Sequence, residues 1–292
     1  MLSETNRLLV FAILGGILPA FFWLYFWIKE DRLRPEPKAA LISAFGGGIL
    51  AVLLALFLEL IVYYLLVDAN PYSIKDFPEI IMGSLKKIAD HYYLLDWQTA
   101  VWGKLQYFFY NSSTNILNNI NVNRAVLVVI IAPIVEEFLK LILTYNICLR
   151  RKVNDEPIDA AIYMLTAALG FAAVETALNL NVDFIRNHVL KDTLAAENFR
   201  AIGPMLIHLI SSATIGISLG LAFYKSRIKK ILYLISGFIL AVFFHASFNF
   251  IMIINYSTQN LIFLWIACAV TWTLVIILLL FFEKIKKITR QT

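Results

Sequence analysis

Apolar positions in this chain follow neither the alternation of a half-buried strand nor the stripe of a soluble helix. They run on for 20 residues or more and stop at clusters of charge. Such runs extend from Leu8 to Ile28, Ala39 to Val67, Ala125 to Leu149, Ile158 to Ile185, Ala201 to Tyr224, Ile231 to Ile254 and Leu261 to Phe282. About 20 apolar residues, rising about 1.5 Å each as a helix, cross the hydrocarbon core of a bilayer. The pattern therefore predicts an all-α polytopic membrane helix bundle of about seven transmembrane helices, with residues 1–292 as a single transmembrane domain. The first run has a full span's length and no convincing small-residue cleavage site, so it reads as a retained span and not as a cleaved leader.

The charge between the runs orients them. Lys29, Arg32, Arg34 and Lys38 follow the first run, Arg150, Arg151 and Lys152 the third, and Lys225, Arg227, Lys229 and Lys230 the fifth. The tail adds Lys284, Lys286, Lys287 and Arg290, whereas the short connection from Asn255 to Asn260 has no basic residue. Basic residues near span ends mark the cytoplasmic side, which predicts an N-terminus outside and a C-terminus inside. The one long connection, residues 68–124, is then an extracytoplasmic or interfacial loop region. Its middle, Glu79 to Tyr110, interleaves apolar and aromatic residues with Lys86, Lys87 and Lys104 and includes Trp97 and Trp102, as expected of an amphipathic segment lying at the membrane surface. Gly46, Gly47 and Gly48 in the second run, and Gly216 and Gly220 in the fifth, predict close helix approach within the bundle.

Composition narrows the function. With 60% hydrophobic and only 15% charged residues and a mean hydropathy of +0.76, the chain has no room for a large soluble catalytic domain. The net charge of +5 sits in the short connections, where it fixes topology, so no nucleic-acid partner is expected. Cys148 and Cys268 both fall inside apolar runs and offer neither a disulfide framework nor a thiolate cage. Localisation in the cell membrane as a multi-pass protein, in contact with the lipid bilayer, follows.

Against this background the ionisable residues inside the runs stand out, since each costs on the order of 2.5–3.5 kcal/mol near a bilayer centre. The third run carries Glu136, Glu137 and Lys140, the fourth Glu175, the fifth His208, and the sixth His245 with Asn249 one turn on. Glu136 is twelve residues from Arg124, Glu175 eleven from Arg186, His208 eight from Arg200 and His245 ten from Asn255. At about 1.5 Å per residue all four lie roughly 12–18 Å from the same side. Alternating helices that share one polar layer predict one polar site.

Glu136 and Lys140, four apart, share a helix face, and Glu137 is three from Lys140. One lysine neutralises one of the two carboxylates and leaves a poorly solvated carboxyl suited to acid or base work; pairing with Lys140 favours Glu136 as the base, with Glu137 the alternative. Asn249 is placed to orient His245 or to meet a substrate carbonyl. Glu59 near the end of the second run is read as snorkelling or pairing with the long loop. Arg200 reads as an interfacial anchor, and His91 and His188, in loops, receive no role. No glycine-flanked elbow exposes Ser211, Ser212 or Ser247 as a nucleophile. No HExxH occurs, and a metal site would have to be assembled from His208, His245 and glutamates on separate helices, so no metal and no cofactor are expected. What remains is a carboxylate and imidazole site in which a glutamate activates water and histidine or asparagine stabilises an oxyanion, an inventory that fits amide hydrolysis inside the membrane.

Four features in order, Glu136-Glu137-x-x-Lys140, Glu156-Pro157-Ile158-Asp159, Phe171-x-x-x-Glu175 and His245-x-x-x-Asn249, resemble the PrsW family of glutamic-type intramembrane proteases. That family shares a clan with the type II CAAX prenyl endopeptidases. The resemblance covers about 131–250, which would be a protease-like core. It implies a glutamate-dependent endopeptidase whose catalytic residues are Glu136, Glu137, Glu175, His208 and His245, with Asn249 and Lys140 in supporting or oxyanion roles. Its partner would be a single-span membrane protein or a membrane-anchored peptide as substrate. Family members commonly have asparagine after the FxxxE glutamate; Thr176 stands there in this chain. The competing readings are a proton-coupled transporter, which would also gather carboxylates and histidines at mid-depth, and a non-catalytic membrane scaffold.

Overall fold

The computed structural model describes residues 12–30, 35–66, 127–187, 190–258 and 260–289. The connection 68–124 with its amphipathic segment Glu79–Tyr110, together with His91 and His188, lies outside the described residues, as does the side chain of Arg200.

Among the described residues every regular element is helical, and each predicted apolar run coincides with a helix. A π-helical stretch, Ala12–Ile17, runs into α1 (Leu18–Glu30), and α2 spans Lys38–Leu66. A second π-helical stretch, Leu127–Ile131, leads into α3 (Ala132–Thr144), which ends in a third, Tyr145–Leu149. Then follow α4 (Asp159–Asn187), α5 (Leu190–Leu221), α6 (Arg227–Thr258) and α7 (Leu261–Thr289). Helices α2, α4, α5, α6 and α7 are each long and apolar enough to cross a membrane. α1 and α3 have 13 α-helical residues each and gain length from the wider π turns beside them. Pro133 stands in the first turn of α3, where the π stretch passes into α-helix.

α4 and α5 form the centre. Of their apolar windows 78% and 72% are buried, against 22% for α6 and for α7, whose remaining faces are left to lipid. Small residues make the central packing possible. A Cβ added at Gly48 of α2 would run into the Ala167 carbonyl of α4, and one at Gly216 of α5 into the Ala160 carbonyl. Gly48, Gly216 and Gly220 thus serve close packing inside the bundle, as expected, whereas a Cβ at Gly46 would meet nothing within 4 Å.

α3 is inside out by the standards of a soluble protein. Its buried face carries Glu136, Glu137, Lys140 and Thr144, while Ile134, Phe138 and Ile142, at steps of four, face outward. In water that arrangement would be unstable; against hydrocarbon the apolar face belongs outside and the charges must turn to protein. This inversion is what delivers two glutamates and a lysine to the middle of the molecule.

Candidate active site

α3 supplies the charges, α4 Glu175, α5 His208 and Ser212, and α6 His245. The innermost group is Lys140, which is fully buried. Its Nζ donates to Glu137 Oε1 at 2.6 Å and to His208 Nδ1 at 3.1 Å, and lies 4.3 Å above the centre of the Phe171 ring. Glu137, also fully buried, accepts a second hydrogen bond at Oε2 from Ser212 Oγ, at 2.8 Å. His245 Nδ1 lies 3.1 Å from Glu137 Oε1. The two imidazole rings meet edge to face, with centroids 4.7 Å apart.

These contacts decide the tautomers, assigned here from hydrogen-bond partners. Glu137, holding Lys140 and Ser212, is an acceptor, so His245 carries its hydrogen on Nδ1 and presents a bare Nε2. Lys140 has only hydrogens to give, so His208 Nδ1 accepts, and Nε2 carries the hydrogen toward Glu175 Oε2, 2.5 Å away. Each imidazole therefore has a carboxylate behind it, Glu137 for His245 and Glu175 for His208.

Glu136 is different. Its Oε2 is buried and has no hydrogen-bond partner among the described residues. Facing it are His208 Nδ1 at 3.7 Å and His245 Nε2 at 3.8 Å, both too far for a direct hydrogen bond. Glu136, His208 and His245 each have one potential ligand atom within 4.8 Å of the others. The site is least closed on the side of Glu175 and Glu136, whose side chains are 18% and 10% exposed; those of Glu137, Lys140, His208 and His245 are 3% exposed or less.

The layer predicted from equal depths is thus brought together on four helices, but two details differ from expectation. Lys140 pairs with Glu137 and not with Glu136, because the lysine must also reach His208 and Phe171 and the i, i+3 glutamate lies on that side. Asn249 Nδ2 donates to the Val128 carbonyl at 3.3 Å, in the π-helical stretch before α3, and no hydrogen bond from Asn249 to His245 is found among the described residues. Sequence reasoning set Ser212 aside as a failed nucleophile and missed it as the donor that fixes Glu137. Its position four residues after His208, on the same helix face, was the available signal. Spacing along the chain gave no metal site, whereas spacing in the fold brings three donor atoms together, because the ligands come from three helices. Thr176, beside Glu175, is buried.

Protease PrsW of Geobacillus kaustophilus (strain HTA426) is similar, 27% identical over 122 residues, which make up 42% of this chain and 50% of that protein. The chain spans about half the length of that curated relative. No solved structure matches. Residues 96–280 match the PrsW-protease family, described as PrsW family intramembrane metalloprotease. That match takes in well over half of the chain and every helix that meets at Glu136, from α3 through α6, so the chain is a multi-pass membrane protein that belongs to the PrsW family.

Proposed function

We propose that this protein is an intramembrane endopeptidase that hydrolyses a peptide bond of a membrane-embedded protein or peptide, with the reacting water held at Glu136. One observation carries the reading: a buried carboxylate oxygen without a hydrogen-bond partner among the described residues, faced by His245 Nε2, which offers an electron pair and no hydrogen, and by His208 Nδ1, whose pair is taken by Lys140. A packing role would have spent that oxygen on a donor.

The donor set also fits a metal ion. One carboxylate oxygen and two imidazole nitrogens are the composition of a catalytic zinc site, and the carboxylates behind both imidazoles are the support such ligands have. Glu136 and His245 would hold the ion, joined by His208 once Lys140 gives up its Nδ1. Bound there, a divalent ion would supply Lewis-acid chemistry, lowering the pKa of a water and polarising a carbonyl. The chain's own residues supply the frame. Glu137 fixes the His245 ring, Glu175 fixes the His208 ring, and Lys140 and Ser212 hold Glu137 and offset its charge. The less closed side at Glu175 and Glu136 is where a peptide segment would enter. In a second reading, favoured by the same unpartnered oxygen, Glu136 alone takes the proton of the attacking water and passes it to the leaving amine. The transporter and scaffold readings gain nothing from the family or from this geometry.

The test compares membrane proteomes of cells carrying the wild type and Glu136→Gln at matched levels. Fragments ending inside a transmembrane segment should appear with the wild type only, and identical proteomes from two folded proteins would sink the peptidase reading. Elemental analysis of the purified wild type should find about one zinc per chain, lost in Glu136→Gln; a metal-free preparation that still cleaves would leave Glu136 as the base.

A further inference from the structure

Glu59 on α2 takes no part in the arrangement around Glu136, and neither the family match nor the curated relative assigns it a role. Val52, Ala55 and Leu56 of α2 are buried against Leu139 of α3 and Phe171 of α4. Glu59 follows them at the next helical step on the same stripe, seven residues after Val52 and four after Ala55. That stripe leads toward the active site, since Phe171 is one turn before Glu175 and Leu139 adjoins Lys140. Glu59 is within electrostatic reach of Glu175, Glu136 and Lys140. Its Oε1 is buried and has no hydrogen-bond partner among the described residues. Lys140 Nζ is already engaged by Glu137 and His208 and lies over the Phe171 ring. A second acceptor oxygen with no donor among the described residues therefore lies on the stripe that leads toward Lys140 and Glu175, within electrostatic reach of Glu136.

A transmembrane substrate provides such donors at the moment it is cut. A helical segment must unwind at the scissile bond for its carbonyl to be attacked, and unwinding frees backbone N–H groups where no water is available to receive them. An acceptor fixed in the wall of the site satisfies one of them. We infer that Glu59 is a substrate-binding residue of this peptidase, its buried carboxyl oxygen accepting a hydrogen bond from a backbone N–H of the unwound substrate segment. This rests on the peptidase reading above and adds to it a substrate contact on α2.

The experiment uses full-length protein in lipid nanodiscs in the Glu136→Gln background, which holds substrate without cutting it. The probe is a single-span peptide of about 20 Leu and Ala residues with a central Gly-Ser pair to loosen the helix, lysine flanks and a photo-crosslinker. Adding Glu59→Met, an apolar side chain of similar length, should raise the peptide concentration at half-saturated capture about tenfold. Glu59→Gln keeps an acceptor oxygen and should stay within about threefold. Glu59→Leu replaces the methionine variant should that one not fold, as judged by thermal melting. Capture by Glu59→Met equal to the background would overturn the proposal and point to a donor from the chain's own long connection. Equal losses in the Met and Gln variants would also overturn it, since charge and not acceptance would then be what the peptide uses. Cleavage of the same peptide by the wild type reads the peptidase assignment separately: a protein that captures but never cuts fails that assignment and leaves Glu59 as a peptide-binding residue.

Discussion

Two groups of buried acids lie in this molecule, and they are built on opposite plans. At the start of α4, Asp159 Oδ2 accepts the backbone N–H groups of Asp155 at 2.8 Å and Glu156 at 2.6 Å, and the Tyr163 hydroxyl donates to Glu36. Those acids tie the connection between α3 and α4, and the one before α2, to the central helix. In the layer of Glu136, by contrast, Glu137 is as fully spent as Asp159, yet Glu136 next to it keeps an oxygen that nothing in the described protein uses. Burial of a charged group in a membrane protein does not separate structure from function.

The sharpest way to break the comparison is Glu136→Gln. If the free oxygen exists for chemistry, the amide should cut proteolysis by about 10³-fold or more while the melting temperature holds or rises, because a poorly solvated charge has been removed without losing a bond. Activity and melting measured on the same purified protein decide it; a large fall in melting temperature with little loss of activity would place Glu136 with the structural acids.

Glu137→Leu should do the reverse first. It leaves Lys140 buried with no counter-charge and frees both Ser212 and His245, so a loss of about 3–5 kcal/mol in stability is expected, with activity falling because the fold and the His245 ring are both disturbed. Denaturation in detergent against the wild type checks the size of the effect. A well-folded, inactive Glu137→Leu would mean that this carboxylate acts on substrate directly.

Much of this contrast was legible in the chain. Bilayer hydrocarbon forces long unbroken apolar runs, so helix positions could be read from hydropathy, and the cost of ionisable groups in lipid made Glu136, Glu137, Lys140, Glu175, His208 and His245 conspicuous. What the sequence could not show depends on neighbours from other helices. Positions three and four before a lysine are both within its reach, and only His208 and Phe171 settle that Lys140 turns to Glu137. The partner of Asn249 is a carbonyl in a π-helical stretch that no periodicity announces. Glu59 reads from sequence as snorkelling or pairing with the long connection, because Glu136, Lys140 and Glu175 lie more than 70 residues away along the chain.

The structural cluster supplies the smaller effects. Asp159→Ala strips the acceptor from two backbone N–H groups ahead of α4 and should cost about 1–3 kcal/mol, with cleavage of a reconstituted substrate within about twofold of the wild type per folded molecule. Comparing melting with specific activity separates the two, and a selective loss of activity would connect this end of α4 to the chemistry.

Tyr163→Phe is the mildest test and the most exact about mechanism. Tyr163 is fully buried, so phenylalanine keeps the ring and its packing and removes only the hydroxyl. That hydroxyl faces Glu36 and lies 3.2 Å from the Val153 carbonyl, and Glu36 is itself buried. Losing one donor to a buried carboxyl should cost about 1–2 kcal/mol, a shift of a few degrees in melting temperature, and leave activity unchanged. Since Tyr163 is twelve residues, about 18 Å of helix, before Glu175, no direct contact with the reacting groups is available to it. An activity loss larger than the stability loss would therefore show that α4 transmits strain from its first turns to Glu175, and that the two acidic groups, opposite in plan, are mechanically one.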